Sequence, residues 1–190
     1  MTRAFSVALA LLFSAQGLIT RAQDTAQMAA GLESLPHGFY RQTSGGWEKM
    51  ELVTQSGIGT THGASALAGV PPGSVYDYAG SEAVFQSGNR RPVFGIKLDP
   101  SHAETPGRGV HDLVIVRMSK KKDHRELEIM RGGFASVKMG INPRDVVAGT
   151  LTAVTDQIYT VVPKEDLKQG EYLVTFPAAY GTAGYDFGVK

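Results

Sequence analysis

HDLVIVRMSKKKDHRELEIMR, residues His111 to Arg131, decides how the rest of the chain is read. Leu113, Val114, Ile115 and Val116 form a consecutive apolar run, mostly β-branched. Such a run is too short for a core helix and suits a strand covered on both faces. From His124 onward the pattern alternates. Arg125, Leu127 and Ile129 fall on one side and His124, Glu126, Glu128 and Met130 on the other, the period of a half-buried strand with Leu127 and Ile129 toward a core. Ser119, Lys120, Lys121, Lys122 and Asp123 join the arms through a polar segment of hairpin length. The predicted unit is a β-hairpin, central in its sheet. Its lysine triplet raises nucleic acid or acidic lipid as partners, but a basic-patch signal needs a longer run or a whole basic face, so the segment reads as a solvated turn.

Outward from the hairpin the same short periods recur. Gly38, Phe39 and Tyr40 lead into a reversal at Thr43 to Gly46, after which Trp47 to Val53 runs out again. Tyr40 and Trp47 are expected to pair across it, as packing and not as a sugar-binding platform. The tract Ser56 to Ser74, rich in glycine and proline, reads as a surface loop or an irregular edge strand. Gly57, Gly59 and Gly63 within it are spaced G-x-G-x-x-x-G, which is not a dinucleotide fingerprint. Short strands are predicted at Val75 to Tyr78, Ala83 to Gln86 and Arg91 to Leu98, then a loop from Asp99 to Gly109. Beyond the hairpin come Phe134 to Met139, Val146 to Val154, Gln157 to Val162, Glu171 to Phe176 and Tyr185 to Val189. With 23 glycines in 190 residues and no extended helical period, the expected fold is all-β. It is an antiparallel β-sandwich, immunoglobulin-like or related, with a short N-terminal hairpin, in a single domain spanning 36–190. Residues 23–35 read as a tether or a short helix.

The first 22 residues have a different character. Arg3 precedes the apolar run Ala4 to Phe13, and Thr20, Arg21 and Ala22 place small residues where a signal peptidase inspects. The expectation is a secretory signal peptide cut between Ala22 and Gln23. As an uncleaved anchor the run is too short, since crossing a bilayer takes about 20 apolar residues. Cleavage would remove Arg3 and Arg21 and no acid, changing 19 basic and 18 acidic residues to 17 and 18. A near-neutral chain has no long-range field to steer it to nucleic acid or an anionic membrane. Absence of cysteine excludes disulfides, thiolate metal sites and a cysteine nucleophile. The predicted location is secreted or periplasmic, without stable membrane insertion after cleavage.

No residue set demands a particular chemistry. Gly63-Ala64-Ser65-Ala66-Leu67 lacks the second glycine of a nucleophile elbow. His37, His62, His102, His111 and His124 are scattered, and no H-E-x-x-H occurs. The tightest polar cluster is Asp123, His124 and Glu126, with His111 and Asp112 across the hairpin. A two-histidine, one-carboxylate metal site there is weighed against solvated strand ends, and the second reading is preferred. No catalytic residue, metal or cofactor is therefore assigned, and any binding residues stay unknown.

Four stretches, LPHGFYRQTSGGWEKM at Leu35 to Met50, RPVFGIKL at Arg91 to Leu98, HRELEIMRGG at His124 to Gly133 and LKQGEYLVTFP at Leu167 to Pro177, carry a resemblance. They resemble an uncharacterised group of exported bacterial β-rich proteins with no established activity. That resemblance implies no catalytic role for any position. The functional expectation is an exported, non-enzymatic sandwich that binds an unknown protein or cell-envelope component. Its alternative is an exported hydrolase or carbohydrate-active enzyme with a site assembled from dispersed carboxylates or histidines.

Overall fold

A computed structural model describes residues 29–60, 73–99, 109–131, 138–176 and 183–190. The expected signal segment with its Ala22/Gln23 junction, the Gly63 to Leu67 stretch, and most of the predicted strand from Phe134 lie outside the described residues. Two sheets pack together as an all-β sandwich. One has five antiparallel strands in the order β11 (Gly149–Ala153), β12 (Ile158–Pro163), β6 (Phe94–Lys97), β1 (Gly38–Thr43) and β2 (Gly46–Lys49). The larger runs β3 (Gly57–Thr60), β4 (Ser74–Ala79), β8 (His124–Arg131), β7 (Val114–Lys120), β13 (Gly170–Thr175), β14 (Gly184–Val189) and β5 (Gln86–Ser87). Two short strands lie off that path, β9 (Lys138–Met139) beside β8 and β10 (Val146–Val147) beside β7. The pairing of β14 with β5 is parallel, the one exception among the described pairs.

Apolar faces of the two sheets meet in an aromatic core. Phe39 and Phe94 come from the smaller sheet, Tyr172, Val174 and Phe187 from the larger. Phe39 stacks on Tyr185 with ring centroids 4.3 Å apart, and Phe187 lies 4.9 Å from Phe94 and 5.3 Å from Tyr172. Such ring pairs add about 0.5–1.5 kcal/mol each beyond the area they bury. The far side of the five-stranded sheet is covered by a 3-10 turn, Leu32–Ser34, whose Leu32 is fully buried. Leu32 seats directly on Gly95, where a Cβ would come within 2.6 Å of it, so only glycine allows the approach. Tyr40 and Trp47 do not form the expected opposed pair. The register sets Tyr40 against Lys49 and Gln42 against Trp47, and both rings pack around Leu32 instead.

The central hairpin is present, but it is zipped only at its tip. Ser119 pairs with Glu126 and Lys120 with Arg125, after which the arms part. Residues 138–147 enter the fork: β9 takes the edge of β8, β10 takes the edge of β7, and the Arg117 N–H donates to the Asp145 carbonyl. The predicted five-residue connection is correspondingly shorter, because Ser119 and Lys120 remain in strand and Lys121 N–H closes the turn on the His124 carbonyl at 2.9 Å. The predicted strand Val146 to Val154 is interrupted at Ala148, where the chain leaves the larger sheet for the smaller. Ala83 to Gln86 yields strand only at Gln86–Ser87.

The larger sheet also curls. On β7 and β13, Ile115 and Val174 face the sandwich core, while Val116, Met118 and Leu173 face the other way and pack with Tyr76, Tyr78 and Leu127. Val53 bridges to Gly184 on β14, and Ser56 N–H donates to the Asp77 carbonyl on β4. One short segment thus reaches from one flank of the sheet to the other, giving a second enclosed core.

Candidate functional site

Strand β8 carries two polar groups back to back. Alternation turns Arg125 into the curl of the larger sheet and turns its neighbours His124 and Glu126 outward. Arg125 is buried at 3% exposure, so its charge requires partners. Its guanidinium donates to the Gly80 carbonyl at 3.0 Å, to the Ala79 carbonyl at 2.8 Å and to Asp186 Oδ2 at 2.5 Å. Glu171 lies 3.9 Å away and is itself satisfied, accepting from the Ala83 N–H at 2.7 Å and from Gln86 Nε2 at 3.2 Å. Strands β7 and β13 lie between β8 and β14 in the sheet order, so the Arg125–Asp186 pair spans the interior of the curl. The sequence reading placed Arg125 in the apolar phase with Leu127 but assigned it no partner.

Outside, five ionisable groups gather at and beside the hairpin tip. His124 Nδ1 is 2.7 Å from Asp123 Oδ1, and Nε2 is 3.2 Å from Glu126 Oε1 and 3.9 Å from Asp77 Oδ1. Hydrogen bonds to Asp123 and then Glu126 push the imidazole above its ordinary pKa, against a smaller effect of burial. The same bond to His124 holds Asp123 below the usual carboxylate range. Lys121 Nζ sits 3.0 Å from Glu126 Oε2. Asp77 stands directly opposite Glu126 on β4, its carboxylate lying over the bare backbone of Gly57 and Gly59. A Cβ on Gly59 would sit 3.3 Å from both Asp77 oxygens, so Gly57 and Gly59 make room for an acid. Asp77 Oδ1 is buried and accepts no hydrogen bond among the described residues.

The expected cluster is therefore half assembled. Asp123, His124 and Glu126 come together. His111 and Asp112 do not join them, because the observed register sets Lys120 opposite Arg125 and leaves those two residues at the far end of β7. There His111 meets the Tyr159 ring edge-on at 6.3 Å, and Asp112 accepts the Gly109 N–H at 3.0 Å. His37 lies 3.9 Å from Asp99 on another part of the surface. Asp77 was missed, although an acid between Tyr76 and Tyr78 in a strand was a visible signal.

Beside the tip, at the ends of β7, β13 and β14, opens a cleft of about 830 Å³. Arg117, Lys120, Lys121 and Lys190 line it together with Glu82, Asp145 and Glu171. Most of these charges are already engaged. Lys120 pairs with Glu82, which it holds below the usual carboxylate range, Lys121 pairs with Glu126, and Glu171 is turned into the Arg125 network. Arg117 is different: its Nη2 donates to the Gln169 carbonyl at 3.0 Å, and among the described residues it forms no ion pair within 4 Å. Burial and the nearby charge of Glu128 raise the pKa of Asp145, with Arg131 and Arg117 opposing.

No family model matches this chain, and no curated protein or solved structure matches it. The roles of these residues rest on their geometry. No helix among the described residues is long and apolar enough to cross a membrane.

Proposed function

We propose that this chain is an exported binding module whose cleft takes an anionic group of an envelope or extracellular partner. Arg117 is the observation that carries this reading. Its strand is hydrogen-bonded on both sides, its guanidinium is oriented by the Gln169 carbonyl, and no carboxylate among the described residues pairs with it within 4 Å, Asp145 acting on it only at longer range. A planar, pre-oriented guanidinium suits bidentate recognition of a carboxylate or phosphate, and Lys190 also lines the cleft. Hydrolysis is less well supported, because Glu82 and Glu171 are spent on Lys120 and on the Arg125 network, which leaves Asp145 as a single acid with no second carboxylate free beside it among the described residues of the cleft.

A labelled hexaglutamate peptide titrated by fluorescence anisotropy tests the cleft. Saturable binding that weakens with salt and falls at least about tenfold in Arg117→Glu is expected, since reversing a charge at an oriented ionic contact removes attraction and adds repulsion. Absence of saturation, or an Arg117→Glu variant binding as the native chain does, would sink it. Export rests on the N-terminal pattern, and mass spectrometry of the exported chain should find Gln23 as its first residue; an intact Met1 would contradict it.

A further inference from the structure

The pairing of β4 with β8 sets Asp77 and Glu126 directly opposite each other, an arrangement in which two carboxylates repel. His124 lies two residues from Glu126, hence on the same face. One ligand atom from each of Asp77, His124 and Glu126 lies within 4.8 Å of the other two, with His124 Nε2 at 3.2 Å from Glu126 Oε1 and 3.9 Å from Asp77 Oδ1. Two of the separations, 3.2 and 3.9 Å, bracket the roughly 3.3–3.4 Å that neighbouring ligands keep around a tetrahedral ion with bonds near 2.0–2.1 Å.

Two further features set this group apart from an ordinary patch of acids. Asp77 Oδ1 is a buried acceptor with no donor among the described residues, and buried polar atoms left unpaired call for an unseen water or ion. Behind the ring, Asp123 accepts from Nδ1 at 2.7 Å, which fixes the imidazole with Nε2 toward the two carboxylates. A carboxylate in that position is the usual outer support of a metal-binding histidine. Lys121 occupies only the outer oxygen of Glu126 and leaves Oε1 facing the ring.

We propose that Asp77, His124 and Glu126 form a site for one divalent transition-metal ion of the zinc type. One imidazole and two carboxylates supply three ligands from two strands, and the ion takes the place of the Nε2 proton. The side chains are 26%, 33% and 21% exposed, so the fourth position faces water, as in zinc sites that keep an open coordination position. This departs from the sequence expectation of no metal, and from the His111–His124 pairing weighed there. It stands apart from the reading of the cleft, whose deciding residue, Arg117, is not a ligand.

Titration of the chelator-treated chain with Zn²⁺ alone, followed by calorimetry, tests the site. One equivalent should bind in the low-micromolar range. His124→Gln and the near-isosteric Asp77→Asn should each weaken binding at least about tenfold, and Asp123→Asn, a positioning change, by roughly 10- to 100-fold. His111→Gln should bind as the native chain does. Replacing Zn²⁺ by Co²⁺ should give a visible absorption band that His124→Gln abolishes. Should His124→Gln fail to fold, Glu126→Gln carries the same test. Absence of saturable zinc binding, undiminished binding in the ligand variants, or Ca²⁺ binding as tightly as Zn²⁺ would overturn the proposal.

Discussion

Arg125 and His124 are neighbours on one strand, and each meets acids from another strand, yet their surroundings differ in kind. Arg125 is enclosed in the curl, donating to two carbonyls and to Asp186. His124 is one-third exposed, and the group around it leaves one carboxylate oxygen without a donor among the described residues. A fully satisfied buried network specifies a fold, because every partner is positioned by the strands that carry it. An outward cluster with an orphaned acceptor has spare ligand capacity. Polar content alone therefore does not mark a functional site; unsatisfied content within reach of solvent does.

The largest expected effect breaks the enclosed side. Arg125→Met should destabilise the chain by about 3–5 kcal/mol, the cost of stranding a buried charge, measured by urea unfolding. Adding Asp186→Leu should recover part of that loss, because removing both charges relieves the stranded carboxylate. His124→Gln, one residue away, should leave the urea midpoint of the metal-free chain essentially unchanged. If the two single variants were equally destabilising, the contrast would be gone.

A smaller effect is expected at Asp145, half-buried in the fork. Its folded pKa is raised, so its favourable contribution is present below the ordinary carboxylate pKa and is lost as pH rises through the raised value. At neutral pH the charged form is a net cost. Asp145→Asn should raise the thermal midpoint at pH 7 by an amount worth less than about 1 kcal/mol, given partial screening by solvent. The gain should vanish below about pH 3, where the acid is neutral in both states. A gain that persisted at low pH would mean the side chain acts through packing instead.

Much of the architecture was legible in short-range periods. The alternation from His124 to Met130 assigned β8 and its two faces, and the apolar run at Leu113 to Val116 found the strand buried on both sides. What escaped depends on residues distant in sequence. Nothing local in HDLVIVRMSKKKDHRELEIMR indicates that residues 138–147 will part its arms, and the expected meeting of His111 with His124 failed separately, on a register that sets Lys120 opposite Arg125. Residue chemistry did carry hints of the rest. Arg125 in an apolar phase, Asp77 between two tyrosines and Asp186 between Tyr185 and Phe187 are each out of place in a strand. Two of these three residues, Arg125 and Asp186, meet one another, and Asp77 meets His124.

The forked hairpin bears on how this molecule can be dissected. A synthetic peptide of residues 111–131 has no insert to hold its arms apart, so any ladder it forms would close through pairs that the protein never makes. In that closed form the inner backbone edges, which β9 and β10 cover in the native chain, would instead hydrogen-bond to each other. Assembly has a matching constraint: the arms must stay open until a later part of the chain arrives, which puts a non-local step at the centre of folding and favours a slow approach to the native state.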